Sequence, residues 1–130
     1  MANPISDYFG VHGSALPLRE ERMKLIASNL SNADTPGYKA KDLNFDAALQ
    51  AASRQQGPLA ATDSRHIAIP DNGPGPFLFT REAAQPSLDG NTVDPDLERA
   101  AYGRAALEYR ASLSFLESKV KNMLTAITGQ

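Results

Sequence analysis

An acidic run in the last third of the chain is the first place where this sequence could do chemistry. Clustered oxygen ligands, which calcium prefers, are supplied by Asp89-Gly90-Asn91-Thr92-Val93-Asp94-Pro95-Asp96. An EF-hand loop needs Gly at its sixth position and Glu at its twelfth. Here Gly is the second residue of the run and Ala100 is the twelfth. The run is therefore better interpreted as a turn followed by a helix cap than as a metal site.

The other candidates for catalysis or metal binding are isolated. His12 and His66 are far apart in the sequence, and the chain has no Cys that could complete a zinc site. Ser64 lies two residues from His66, but a nucleophilic pair is defined by geometry in space and not by proximity in sequence. The sequence therefore predicts a protein that is not an enzyme, with no catalytic residue, no metal and no cofactor.

The composition also limits the kinds of partner that the chain could bind. The formal net charge of −2 over 130 residues gives no field that would attract nucleic acid or an anionic membrane. The N-terminal residues 1–7 have neither the basic nor the apolar stretch of a cleavable signal. With five Phe, four Tyr and no Trp, a compact core would be thin. This favours an elongated chain, or one that completes its core with neighbours.

The elements that position these residues are organised around a helix that stops abruptly. Pro36 pushes Thr35 out of the helical region, so the helix must end before it. Pro36-Gly37 fits the two central positions of a type II turn, in which Gly supplies the positive φ. The residues that define this stop and turn are Asn29, Asn32, Thr35, Pro36, Gly37 and Tyr38.

Residues 1–32 are predicted to form the N-terminal helix. Its apolar seam has a period of 3.5 residues, which suits a coiled coil, and runs through Phe9, Leu16, Met23, Ile26 and Leu30. Gly13 and Pro17 weaken the first half of this helix. We expect either a kink between Gly13 and Pro17 or a firm helix that starts at Ser14 as N-cap.

The middle of the chain is predicted to be irregular. Residues 33–44 form the turn and an extended segment, and residues 45–56 form a short helix with Phe45, Ala48, Leu49 and Ala52 on one face. Six of the nine Pro lie in Gly57–Pro95, so residues 57–94 cannot form a long helix. Residues 66–69 and 77–80 predict two short strands of a small β-hairpin around a turn at residues 71–75.

Residues 95–128 give the strongest pattern in the sequence. Asp94 is a helix N-cap and Pro95 occupies the first helical position. Apolar positions then step by 4 and 3 without a break along a helix about 50 Å long. The predicted fold class is mainly α, with long N- and C-terminal helices pairing as a coiled coil around an irregular middle. The whole chain is one unit of 130 residues.

Pairing within one chain leaves part of the helix seam exposed, which predicts assembly with other copies. An ordinary helical bundle, or a soluble helical adaptor that binds one partner through its amphipathic ends, remains an alternative. The predicted assembly seam consists of Leu16, Met23, Ile26, Leu30, Tyr102, Ala106, Tyr109, Leu113, Leu116, Val120, Met123 and Ile127.

The stretch Ser28–Lys39 resembles the signature of the flagellar basal-body rod family, an Asn-Leu/Ile-x-Asn-x-x-Thr-Pro-Gly-Tyr/Phe pattern. The family plan, with a helix at each terminus and a variable middle, extends over nearly the whole chain. Within the family, the short length and the segments Thr62–Ile67 and Asp89–Asp94 look like those of the proximal rod subunits. A closely related proximal subunit shares the Asp-Gly-Asn-x-Val-Asp pattern, so two siblings remain open.

The resemblance implies a structural, axial subunit that transmits torque from the motor's membrane ring towards the hook. It implies these partners: other copies of the chain, other rod subunits, the rod-base adaptor and membrane-ring protein, and the flagellar type III export apparatus. It implies a location in the periplasmic rod of the basal body, reached without a cleaved signal. Neither nucleic acid nor a small-molecule substrate is expected. The terminal helices are implied to be poorly ordered before assembly and to form an inner coiled-coil layer afterwards.

Overall fold

Two long antiparallel helices dominate the part of the chain that the structure describes. The computed structural model describes residues 4–55 and 75–129. In chain order the elements are α1 (Pro4–Ser31), β1 (Lys41–Leu43), α2 (Phe45–Gln55), β2 (Leu78–Thr80) and α3 (Pro95–Thr128), with a 3-10 turn at Gly75–Phe77. The predicted fold class, mainly α with long terminal helices that pack together, is confirmed.

Helix α3 begins and ends with defined caps. The Asp94 carboxylate accepts hydrogen bonds from the amides of Asp96 (3.0 Å) and Leu97 (3.3 Å), and Pro95 opens the helix. At the other end Gly129 adopts the left-handed conformation (φ 72°), and its amide donates to the Thr125 carbonyl. The 34 residues between the caps span about 50 Å. The helix predicted from the Asp94-Pro95 cap is therefore present at full length.

Helix α1 is broken at Gly10 and not where the sequence predicts. Gly10 has φ 52° and ψ −139°, a backbone conformation that is open essentially to Gly alone. Pro17 lies inside the helix without a break. The prediction of a kink between Gly13 and Pro17, or of a start at Ser14, is wrong. Gly13 serves packing instead, because a Cβ there would lie only 3.0 Å from the Phe9 Cβ.

Helices α1 and α3 run antiparallel in a single register. Arg19 Nε on α1 donates to Ser112 Oγ on α3 (2.8 Å) near the middle of the pair. At one end the Tyr8 hydroxyl donates to the Lys119 carbonyl (3.1 Å). If this alignment is followed four residues further along both helices, Pro4 at the start of α1 lies opposite Met123 of α3. The last residues of α3 therefore extend past the described part of α1.

The core under the helix pair is thin and built mostly from small side chains, as the composition suggests. Ile26 and Leu43 are its only large members among the described residues. Full burial of such a side chain stabilises a fold by about 1.5–3 kcal/mol, so two of them provide little of the usual hydrophobic stabilisation. The buried apolar residues are Ala15, Ile26, Ala40, Leu43, Ala48 and Ala105.

A short two-stranded sheet follows the turn after α1. Strands β1 and β2 pair antiparallel, with Lys41 opposite Thr80 and Leu43 opposite Leu78. The predicted strand at residues 66–69 lies outside the described residues. The partner of β2 that the structure does describe comes from the segment directly after the turn. Helix α2 starts where the sequence predicts, with Asn44 Oδ1 accepting the Ala47 amide.

No described helix combines the length and the apolar character that a bilayer crossing needs.

Candidate functional site

The residues first considered for chemistry take structural roles. The His12 ring stacks on Phe115, with ring centroids 4.8 Å apart and planes inclined by 24°. Asp89 Oδ1 accepts the Asn91 amide (3.0 Å), which closes a turn. Ser64 and His66 lie outside the described residues. Across residues 4–55 and 75–129, no three acidic or histidine side chains converge as a metal ligand set.

A cleft of about 610 Å³ lies between α1, α3 and the start of α2. The charged side chains that line this cleft bond to one another and contact the neighbouring helices. The Arg19 guanidinium donates to Glu108 Oε2 (2.8 Å) and lies 4.7 Å from the centre of the Phe45 ring. Glu108 also accepts from Arg104 (3.0 Å). The Arg19–Glu108 ion pair joins α1 to α3, and the contact of Arg19 with the Phe45 ring joins α1 to α2. The side chains that line the cleft therefore hold the three helices together.

The most buried polar side chain of the chain's described part is Asn29, with 0% of its surface exposed. Its amide uses every hydrogen-bonding capacity that it has. Nδ2 donates to the Lys41 carbonyl (2.8 Å) and to Glu98 Oε2 (3.3 Å). Oδ1 accepts from the Lys41 amide (3.0 Å) and from the Tyr38 hydroxyl (3.2 Å). The Asn29 side chain thus bonds to both the amide and the carbonyl of Lys41, as the backbone of a neighbouring strand would. It holds β1 against α1.

A charge cluster continues this network. Glu98, only 1% exposed, accepts a hydrogen bond from the Arg81 guanidinium and the one from Asn29. Asp42, also buried, lies 3.3 Å from Arg22 Nε and 3.7 Å from Arg81 Nε. Two carboxylates and two guanidinium groups therefore balance each other, which buried charges require. We call Asn29, Tyr38, Lys41, Asp42, Arg81 and Glu98 together the polar joint.

The predicted turn residues lie beside the polar joint. Gly37 has φ 73°, as the type II turn assigned to Pro36-Gly37 requires. Thr35 Oγ1 donates to Asn32 Oδ1 (3.2 Å), and Asn32 Nδ2 donates back to the Ser28 carbonyl (2.8 Å). These bonds satisfy groups at the end of α1, where the helix leaves its last carbonyls unpaired. The structure thus brings the predicted turn residues together in one place.

The end of α1 is closed by a residue from far along the chain. Asn91, 6% exposed, directs its Nδ2 at three carbonyl oxygens, those of Asn32 (2.9 Å), Ala33 (2.8 Å) and Thr35 (2.9 Å). Its Oδ1 accepts the Val93 amide (2.8 Å). Asn91 thus acts as a C-cap for α1, although 59 positions separate it from Asn32.

The backbones of the two segments are paired as well. The Gly37 amide donates to the Asp89 carbonyl (2.8 Å), and the Thr92 amide donates to the Tyr38 carbonyl (3.0 Å). Thr92 Oγ1 accepts the Ala40 amide (2.7 Å). We call the segment Ser87–Asp94 the latch, because it holds the turn from the opposite side.

The structure divides the predicted assembly seam into covered and uncovered residues. On α1, Ile26 is buried while Leu16, Met23 and Leu30 are partly covered. On α3, the partly covered residues are Ala106, Tyr109, Leu116 and Met123. The uncovered ones are Tyr102, Leu113, Val120 and Ile127, with 39%, 37%, 41% and 75% of their surface exposed.

The uncovered residues lie on a different side of α3 from the contact with α1. The fully buried positions of α3 are Glu98, Ala105 and Ser112. Three exposed apolar side chains, Leu97, Leu107 and Phe115, lie on other sides of α3. At about 100° per residue, the remaining five are centred about 70° around the helix from the buried positions. This exposed row, which we call the apolar stripe, consists of Tyr102, Leu113, Val120, Leu124 and Ile127.

Sequence reasoning missed three residues that hold this site together, Arg81, Asn91 and Glu98. Apolar periodicity reports none of them, because they are polar and pair over long distances in the sequence. Glu98 even falls on the acidic first turn of α3, where the helix dipole alone explains it. The available signal was the Asp89–Asp94 turn, which the sequence marked as structured without indicating what it contacts.

Comparison with known proteins gives a consistent result. A model of the family described as flagella basal body rod protein matches residues 9–39. Flagellar basal body rod protein FlgB of Aeromonas hydrophila is 42% identical over 131 residues, which is 100% of this chain and 99% of the relative. FlgB of Cereibacter sphaeroides is 43% identical over 127 residues, with 95% and 96% coverage. FlgB of Salmonella typhimurium is 40% identical over 122 residues, 88% of each chain.

The chain therefore belongs to the flagellar basal body rod proteins, and within them to the FlgB family. It is a structural component of the basal-body rod. The family model ends at residue 39, just after the turn that the latch contacts.

Proposed function

We propose that this chain is a proximal rod subunit that assembles through its terminal helices and carries torque from the membrane ring towards the hook. The observation that carries this proposal is the apolar stripe. Val120 and Ile127 are exposed on a helix whose covered line lies elsewhere, so α3 still presents an apolar face after α1 has been packed. Such a face is typical of a helix that has further partners.

The two sides of α3 are suited to different tasks. The line through Glu98 and Ser112 is polar or small and holds α1 by specific hydrogen bonds. The apolar stripe lacks this specificity but extends over about 35–40 Å, from Tyr102 to Ile127. We assign the stripe and the seam residues beside it to contacts with other rod subunits and with other copies of the chain. Load would then pass along packed helices over their whole length.

Partners at the rod base and the route of export follow from the family. The rod-base adaptor and the membrane-ring protein would contact the lowest copies. We infer from the family alone that the type III export apparatus would deliver the chain. Mass spectrometry of the assembled subunit tests the route. We expect an intact N-terminus and no assembled subunit in cells without a working export apparatus; a trimmed N-terminus would contradict this.

Imaging purified basal bodies with this subunit tagged tests the location. We expect the tag as extra density on the rod next to the membrane ring. Density at the hook, or complete basal bodies without any tag, would overturn the proposal. The helical adaptor alternative predicts a tag that is absent from the purified rod.

A further inference from the structure

The latch bonds to the turn after α1, and the rod function alone does not require these bonds. We propose that the latch is an internal lock: its Asn91 closes the end of α1, so that the signature turn Thr35–Tyr38 is engaged within one chain and is not a surface for a neighbouring subunit. Only one consequence of this inference rests on the proposed function, namely that rod subunits contact each other through residues other than this turn.

The hydrogen bonds of the turn carry the argument. The carbonyls of Asn32, Ala33 and Thr35, which a partner could otherwise use, all accept from Asn91 Nδ2. The amide of Gly37 and the carbonyl of Tyr38 are paired with the backbone of the latch. A neighbouring chain would have to replace these bonds before it could use the same groups.

Side chains and shape support the same conclusion. The Tyr38 hydroxyl donates to the buried Asn29, so this aromatic anchor is directed inwards. Lys39 Nζ donates to the Gly90 carbonyl (2.7 Å). Gly90 and Gly37 both have positive φ, and a Cβ on Gly90 would lie 3.8 Å from the Gly37 Cα. The two turns therefore pack back to back, at a distance that fits Gly.

Amide hydrogen exchange of the free chain tests the lock directly. The family resemblance implies terminal helices that are poorly ordered before assembly, whereas the lock requires order where the latch meets the turn. In the wild-type free chain the lock therefore predicts that the amides of Gly37 and Ala40 are protected at least about tenfold over an unstructured peptide, before any assembly. In Asn91→Asp, a carboxylate that cannot donate replaces the donor facing three carbonyls, and the protection of both amides should fall about tenfold or more.

Asn44→Asp is the matched control. This variant makes the same chemical change as Asn91→Asp. Among the described residues, the Asn44 side chain accepts one hydrogen bond, at the N-cap of α2, where Asp serves equally well. Protection of Gly37 and Ala40 should then stay within about threefold of wild type. Equal protection in Asn91→Asp and Asn44→Asp would overturn the proposal. So would a wild-type free chain in which both amides are unprotected and become protected only on assembly.

A second pair of variants applies if Asn91→Asp fails to fold. Thr92→Val removes the hydroxyl that accepts the Ala40 amide, while Thr92→Ser retains it. We expect Ala40 to lose protection in Thr92→Val and to regain it in Thr92→Ser; no difference between the two would contradict the lock. These measurements use the free chain, so they are independent of whether the tagged subunit is found in the rod.

Discussion

The two ends of the α1–α3 pair are built on different principles. At the polar joint, Asn29 and Glu98 are buried and bond to each other and to partners from two further segments of the chain. At the far end, Tyr8 and Lys119 exchange two exposed hydrogen bonds beside the uncovered Val120. Asn29 and Glu98 thus find their partners within one chain, whereas the far end has apolar surface left for others. The difference separates the residues that fix the subunit's shape from those that bind its neighbours.

The largest expected effect is on assembly, at the far end. Val120→Asp places a charge on the apolar stripe, so we expect loss of incorporation into the rod because the carboxylate would be buried at the contact without a partner. The free chain should keep its stability within about 0.5 kcal/mol, since Val120 is exposed there. Motility and basal-body composition measure the first effect, and urea denaturation measures the second.

Two comparison variants sharpen this test. Ser118→Asp adds the same charge on the opposite side of α3 and should leave incorporation largely intact. Leu116→Asp should lower both assembly and stability, because Leu116 is partly covered by α1. Normal motility with Val120→Asp would show that the stripe is not an assembly surface.

At the polar joint, Asn29→Leu should have the largest effect on stability. It leaves the amide and carbonyl of Lys41 and one oxygen of Glu98 without their partner. We expect the free energy of unfolding to fall by about 3 kcal/mol, measured by urea denaturation. Tyr38→Phe removes the bond from its hydroxyl to Asn29 and the long, exposed one between that hydroxyl and Ser28 Oγ (3.4 Å), and it should cost about 1 kcal/mol. Similar values for the two variants would contradict the central role given to Asn29.

The sequence predicted the helices well because their signals are local. The Asp94-Pro95 cap placed the start of α3, and the face formed by Phe45 and Ala48 placed α2. It failed at Gly10 because Gly and Pro show where a helix is weak, not which weak point the packing uses. Of the two glycines, Gly10 has the non-helical backbone and open space around it, whereas a Cβ on Gly13 would lie 3.0 Å from the Phe9 Cβ.

The site was predicted only in part, for a related reason. The 3-4 repeat on α3 identified apolar positions correctly, but an isolated repeat does not say which neighbour covers them. Helix α1 covers Ala105 and Ser112, to one side of the repeat. The polar joint depends on contacts such as Asn29 with Glu98, 69 positions apart. Such pairs leave no periodic trace in a single sequence.

A moderate loss of stability at the polar-joint end is expected from Gly37→Val. A β-branched residue at φ 73° is strained, so the free energy of unfolding should fall by about 2 kcal/mol. Helix α3 should persist, because its caps are separate, and circular dichroism would show retained helix. Gly37→Asn should cost less, since Asn tolerates positive φ. If Val and Asn had equal effects, backbone strain would not be the cause.

A smaller effect is expected at the far end from Lys119→Ala. The change removes the bond from Nζ to the Tyr8 carbonyl (2.8 Å) and the contact of the ammonium with the Tyr8 ring. Because both are exposed, urea denaturation should show a loss of only about 0.5 kcal/mol. Lys121→Ala, at an exposed site on the same helix, is the control and should have no effect. A loss as large as that of Asn29→Leu would remove the contrast between the two ends.

The smallest expected effect is the response of the latch to acid. The pKa of the Asp89 carboxyl lies below its ordinary value, first because it accepts the Asn91 amide, with further contributions from the Ser87 hydroxyl and the Lys39 charge. A lowered pKa in the folded chain means that Asp89 stabilises the latch above its unfolded pKa. This contribution is lost as the pH falls through the folded pKa.

An NMR titration checks this response and compares the two ends of the molecule in one sample. The Asp89 carboxyl should titrate below the usual Asp range, and the amide signals of Gly37 and Ala40 should shift with it, since the latch holds both. The signals of Tyr8 and Lys119 should not follow, because Asp89 contacts neither. The effect is small because Asp89 is exposed and its charge is screened by solvent. A shift of both ends at the same pH would indicate a general loss of structure and not the opening of one latch.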